Sequence, residues 1–218
     1  MQERAQRTRE AIMRAAAAAF EVNGYGATRL QDITAREDVS KGALYFHFSA
    51  KEALAAAIVG EYSGLWERLT DRLRPRHPRA VELLIELSWA VGAAFRDDVM
   101  ARAGIRLVLE TRLYESRTPP PYERWTACIE EMLEEAARQD DLAPGVDVAN
   151  VAWFMVASFT GLQQVAMADG GPGASPDECV AAMWRCMLPG LVRSDRLPGL
   201  VALLDERVRT SPPAPVRG

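Results

Sequence analysis

The stretch Val39-Ser40-Lys41-Gly42-Ala43-Leu44-Tyr45-Phe46-His47-Phe48-Ser49-Ala50-Lys51-Glu52 decides the fold. Ser40 suits a helix N-cap, because its side-chain oxygen can accept one of the backbone N–H groups that the first helical turn leaves unpaired. It opens a short helix over 41–48, in which Leu44 and Phe48 are four residues apart and so share a face. Ser49 and Glu52 have the spacing of a second capping box, which starts a further helix. That helix runs over 50–74 and stops before Pro75, because proline disfavours the helical conformation in the residue ahead of it. At 1.5 Å per residue it spans about 36 Å, with Leu54, Ile58, Leu65, Leu69 and Leu73 on its apolar face.

Upstream, residues 4–23 place Ile12, Ala15, Ala16, Ala19 and Phe20 on one side at helical spacing, with Gly24 as the C-terminal cap. Thr28 with Gln31 forms a capping box and starts a second short helix that turns Leu30 and Ile33 inward. Glu37-Asp38-Val39 makes the turn into the 41–48 helix. Two short helices joined by a tight turn behind a longer supporting helix describe a helix-turn-helix. Ile12, Phe20, Leu30, Ile33, Val39, Leu44 and Phe48 would hold it together, leaving Thr28, Ser40, Lys41, Gly42, Tyr45 and His47 on the outer face. Each of these suits a phosphate or a base edge. Lys41 brings a cation to a helix N-terminus that already favours anions, Gly42 allows close backbone approach, and Tyr45 can donate to a phosphate while its ring packs on sugar or a thymine methyl. Ala43 and Phe46 complete that face, and Lys51 flanks it in the first turn of the next helix.

Beyond Pro78 the spacing predicts helices over 79–96, 98–113, 121–139, 147–168, 176–193 and 196–209, with Asp147 capping the fourth of these and Ser175-Pro176 with Glu178 opening the fifth. No sustained period-two alternation occurs, so the fold class is all-α: an N-terminal helix-turn-helix domain joined by a long helix to a larger helical body. Residues 1–49 form the first domain, 50–210 the body, and 211–218, which include Pro212, Pro213 and Pro215, a disordered tail.

Composition narrows the function. The net charge is −4, yet residues 1–52 carry eight Lys+Arg against seven Asp+Glu and contain both lysines, Lys41 and Lys51. With Cys128, Cys179 and Cys186 unpaired in spacing and only His47 and His77 present, neither a disulfide framework nor a zinc site can be assembled. A Gly-rich phosphate loop and a Ser/Cys–His pairing are missing too, which argues against an enzyme and against a bound cofactor. Residues 1–20 have charges throughout the first ten and no signal-peptide core. The apolar run 151–165 is too short to cross a bilayer. Those features suit a cytoplasmic protein with no membrane partner.

Residues 8–54, above all Val39 to Phe48 followed by Lys51-Glu52, with Phe20, Gly24-Tyr25 and Thr28 upstream, strongly resemble the DNA-binding domain of TetR-type repressors. Asp38 departs from the pattern, since many members carry glycine in that turn. The resemblance implies a homodimer on palindromic operator DNA, a long connecting helix and a ligand-binding helical body. Further pieces are similar to the γ-butyrolactone autoregulator receptors of actinomycetes: Lys41 to Phe48, Ala103-Gly104-Ile105-Arg106-Leu107, Pro119-Pro120-Pro121 leading to Trp125, and Ser158-Phe159-Thr160-Gly161. That likeness implies that Trp125 lines the pocket and that Thr160 hydrogen-bonds a lactone, furan or butenolide signal controlling antibiotic production. With Trp89, Arg106, Phe159 and Gln163 these are the candidate ligand residues, although aromatic residues at helical spacing serve equally as plain core. The resemblance also fits a regulator of an efflux or catabolic gene that senses another lipophile. Ligand entry would tilt the 50–74 helix and move the two 41–48 helices out of register with successive major grooves.

Val180, Met183, Trp184, Met187, Leu188 and Leu191 form a wide apolar stripe on the 176–193 helix. Together with Trp153 on the 147–168 helix it would build a four-helix dimer interface. The alternative is burial of the stripe within one subunit.

Overall fold

The computed structural model describes residues 2–35, 40–110, 121–169 and 176–211. Every element among them is an α-helix: α1 (Gln2–Ala27), α2 (Leu30–Thr34), α3 (Lys41–His47), α4 (Lys51–Ser63), α5 (Leu65–Leu73), α6 (Ala80–Asp97), α7 (Val99–Glu110), α8 (Pro121–Arg138), α9 (Val148–Asp169), α10 (Pro176–Leu191) and α11 (Leu197–Thr210). An isolated bridge between Leu142 and Val192 is the one strand-like pairing among the described residues. The all-α expectation is met, and beyond Pro78 the helix ends that lie inside the described stretches fall within two residues of their expected positions. The turn at residues 37–39, the Pro119-Pro120 stretch, the 170–175 loop and the tail from 212 onward lie outside the described residues.

The chain forms two compact units. The first gathers residues 1–68 and 93–121, so its packing draws α4 and α7 in with the three N-terminal helices. Its core holds Ile12, Phe20, Ile33, Leu44 and Phe48, together with Leu54 and Ile58 of α4 and Ala103 and Leu107 of α7. Leu30 packs at its edge. The regular part of α1 ends at Gly24, whose φ of 74° lies in the left-handed region that favours glycine. On α7, Gly104 has no room for a side chain, because a Cβ there would run into Tyr62 of α4.

Three local expectations fail here. Thr28 does not cap α2: the N-cap is Arg29, with Asp32 accepting from its backbone N–H at 2.7 Å. Thr28 instead turns its hydroxyl back to the carbonyls of Gly24 (2.6 Å) and Ala19 (3.2 Å) near the end of α1. Ser49 does not cap α4 either. That position belongs to Ala50, with no side-chain cap bond, and Glu52 is engaged elsewhere. Nor is 50–74 one straight helix, since it divides at Gly64 into α4 and α5.

The second unit gathers residues 69–92 and 122–218. Asp147 caps α9, accepting the backbone N–H of Asn150 at 3.1 Å, and Pro176 opens α10. The N-terminal part of α6 is buried almost throughout and carries a carboxylate, Glu86, that is 3% exposed. Arg207 of α11 holds it through both nitrogens of its fork. The fully buried Asp141 lies between Arg79 and Arg196, with the Arg196 Nε at 2.6 Å. Buried charges persist only when paired in this way.

Candidate nucleic-acid interface

Helix α3 is built to be anchored on one side and open on the other. Ser40 caps it as expected, its Oγ accepting the Ala43 N–H at 3.1 Å. Leu44 is fully buried and Phe48 nearly so, with Arg9 stacked over the Phe48 ring at 5.1 Å. Away from that anchored side, Lys41, Gly42, Tyr45 and Phe46 are exposed, and Phe46 is 81% so. His47 is half-buried, edge-on to Phe46 with centroids 5.1 Å apart, and Ala43 packs partly against the core. A Cβ on Gly42 would meet nothing within 4 Å. Nothing among the described residues therefore asks for glycine, although glycine within a helix costs roughly 0.5–1 kcal/mol relative to alanine.

Two of the residues expected on this face turn inward. Thr28 is 1% exposed and uses its hydroxyl as described above, so it has no surface to offer a duplex. Lys51 donates to the carbonyls of Tyr25 (2.8 Å) and Thr28 (3.0 Å) and lies 4.3 Å from the Tyr25 ring centre. Its ammonium is thus a clamp between the start of α4 and the α1–α2 junction. Tyr25 completes that clamp, donating its hydroxyl to Glu52 at 2.9 Å. Burial, then Glu52's hydrogen bond and charge, push the Tyr25 phenol up to about 12. A backbone hydrogen bond and Tyr25 hold Glu52 below its ordinary value. Sequence reasoning missed Tyr25 and Glu52 as a pair because they are 27 positions apart.

In the second unit, the candidate ligand residues Trp89 (α6), Trp125 (α8) and Phe159 (α9) are buried, and Thr160 and Gln163 of α9 are half-buried. Among the described residues, the Trp89 Nε1 and the Gln163 Nε2 are buried donors without a hydrogen-bond partner. Trp125 meets the edge of Tyr122 at 5.4 Å, and burial raises the Tyr122 phenol. Arg106, the remaining candidate, is placed elsewhere in the chain's division. It belongs to the first unit, where its guanidinium is committed to Glu110 and to the carbonyls of Glu21 and Val22. A groove of about 240 Å³ in that unit, lined by Arg9, Met13, Tyr62, Leu65 and Met100 among others, contains none of the candidate ligand residues. No group of His, Cys, Asp and Glu that could hold a metal occurs among the described residues.

Part of the apolar stripe expected at a partner is spent within the chain itself. Val180, Trp184 and Leu191 are 5%, 0% and 3% exposed within one chain, so they have no free surface for a partner. The Trp184 indole donates to Ser88 at 3.1 Å, and Ser88 donates in turn to the Leu84 carbonyl. Met183 and Met187 are half-buried. Trp153, the α9 residue of the expected interface, is 65% exposed, and Phe154 beside it is 52% exposed.

An all-helical chain whose short third helix presents a cation, a glycine and two aromatic rings has the make-up of a helix-turn-helix regulator. Family comparison agrees: residues 12–58 match the model of bacterial regulatory proteins of the tetR family, and residues 79–193 match that of the tetracyclin repressor-like C-terminal domain. The chain belongs to the TetR family. It is 34% identical to the A-factor receptor protein of Streptomyces griseus over 216 residues, which is 99% of this chain and 74% of that one. Its fold is similar to that of a γ-butyrolactone receptor described as an ArpA-like protein (TM-score 0.80, 32% identity, 95% of this chain and 99% of that one). It is also similar to CprB from Streptomyces coelicolor in complex with its biological operator sequence (TM-score 0.81, 32% identity, 95% and 100%). No described helix is long and apolar enough to cross a membrane.

Proposed function

We propose that this chain is a homodimeric transcriptional repressor that binds palindromic operator DNA through α3 and leaves it when a γ-butyrolactone or related furan or butenolide signal enters the body. The observation that carries the DNA reading is the division of α3 into an anchored side, Leu44 and Phe48, and an open side, Lys41, Gly42, Tyr45 and Phe46. Ser40, Ala43 and His47 flank that open side. Lys41 supplies a sequence-independent phosphate contact, and the bare backbone at Gly42 lets the helix settle against the groove wall. Tyr45 and Phe46 offer apolar edges that can meet thymine methyls. A dimer would read two half-sites about one helical turn apart.

The effector reading is supported by likeness to the A-factor and γ-butyrolactone receptors over nearly the whole chain. That favours it over a regulator of an efflux or catabolic gene sensing another lipophile. The donors at Trp89 and Gln163 fit it as well, because a buried donor without a partner is costly and a lactone carries acceptor oxygens. Thermodynamically the signal must bind the DNA-incompetent state better than the DNA-bound one. A coupling of about 1–3 kcal/mol lowers operator affinity roughly 5- to 150-fold. A repressor of this kind works in the cytoplasm, needs no cofactor and performs no catalysis.

The test is release of a duplex, first selected by the wild-type chain from a random-sequence pool, by a γ-butyrolactone against unrelated lipophiles of similar size. Trp125→Ala should keep duplex affinity and lose lactone-driven release. If that variant is released as readily as wild type, the ligand assignment of Trp125 is wrong.

A further inference from the structure

The last turn of α7 closes on the bend that ends α1. Arg106 donates to Glu110 at 2.5 Å and to the carbonyls of Glu21 and Val22 (3.3 Å to the latter). Glu110 accepts the backbone N–H of Tyr25 at 2.8 Å. Its two carboxylate oxygens lie 2.5 and 2.7 Å from where a Cβ on Gly24 would stand, so the glycine is the seat of the carboxylate. One ion pair therefore satisfies carbonyls at the end of α1 and the amide just past the bend, groups that a helix terminus leaves unpaired. From Tyr25 the contacts continue. Its carbonyl accepts from Lys51, its ring lies under that ammonium, and its hydroxyl bonds Glu52. Lys51 and Glu52 are the first residues of α4, three positions beyond the Phe48 cap of α3.

We propose that Arg106 and Glu110 are positioning residues for duplex binding: through Tyr25 they fix the α1–α2 bend and the start of α4, and so the attitude of α3 between them. This rests on the DNA reading above. Neither residue lies on the exposed face of α3, and both side chains are about a third exposed, at 30% and 34%. A pair so placed adds little to global stability, so its effect should appear in geometry more than in folding. The same arrangement gives Arg106 a role other than the ligand contact that its sequence neighbourhood suggests.

The test compares the full chain with Glu110→Gln, which keeps the length and an acceptor oxygen and removes the charge. The readouts are anisotropy on a duplex selected by wild type and amide exchange at residues 24–28. The variant should bind the duplex roughly fivefold to thirtyfold more weakly, in the range of couplings that pass through neighbours. Its salt slope should be unchanged, because the phosphate contacts are the same. Its amide at Tyr25 should exchange faster, and its unfolding should stay cooperative. Tyr25→Phe, which removes only the oxygen bonding Glu52, should give a smaller loss of the same kind and serves if Glu110→Gln does not fold. Affinity within about twofold of wild type, or a loss accounted for entirely by a reduced folded fraction, overturns the positioning role. A wild-type chain that selects no duplex overturns the DNA reading itself, and the positioning role with it.

Discussion

At the scale of single residues, the informative ones are those that serve the chain poorly on its own account. Gly42 sits in the first turn of α3 with open space where a Cβ would go. Gly42→Ala should therefore raise stability by about 0.5–1 kcal/mol in denaturant melts while weakening duplex binding. A stabilised variant that binds as well as wild type would show that nothing approaches this backbone closely. Tyr25 gives a pH prediction. Its folded pKa of about 12 lies above the ordinary phenol value of 10.0, so the clamp contributes stability that is complete below pH 10 and lost as pH rises toward 12. Tyr25→Phe should flatten the alkaline arm of the stability profile over that window. Ser40 was legible as a cap because an N-cap is a local event, set within three residues. Thr28 was not. Its spacing to Gln31 satisfied the capping pattern, but carbonyls nine and four residues upstream claimed its hydroxyl.

At the scale of elements, the helices beyond Pro78 were readable because residues such as Asp147 mark their starts and apolar spacing marks their cores. What the spacing could not decide was which face meets which neighbour. The α10 stripe is as apolar as a dimer seam, yet Val180, Trp184, Leu188 and Leu191 are spent on the chain's own core. Ser88, a polar residue on α6, takes up the Trp184 indole, and that pairing spans 96 positions. The contribution of α7 to the N-terminal unit was likewise invisible, because Ala103 and Leu107 look like any core residues until their partners are known. Helix α11 is tied down by the buried Glu86 carboxylate on Arg207. Arg207→Ala leaves that charge buried without its partner and should cost about 3–5 kcal/mol in chemical denaturation. A loss under about 1 kcal/mol would show that the pair behaves as a surface ion pair.

At the scale of the whole molecule, a two-fold regulator needs an exposed apolar surface that its own chain does not cover. Helix α9 supplies one in Trp153 and Phe154, on an element that the sequence already assigned to the interface. Trp153→Glu would place a charge in a desolvated seam, and sedimentation should then show a shift from dimer to monomer, with duplex affinity falling alongside. A Trp153→Glu chain that sediments as wild type would remove α9 from the interface.

Operator binding depends on the exposed side of α3 engaging a duplex. The most direct test is the salt dependence of binding to a duplex that wild type selects, measured for wild type and Lys41→Ala. Wild type should bind with a steep negative slope of log affinity against log salt, and Lys41→Ala should bind more weakly on every sequence with a slope shallower by about 1. Identical slopes and affinities for the two proteins would contradict the account.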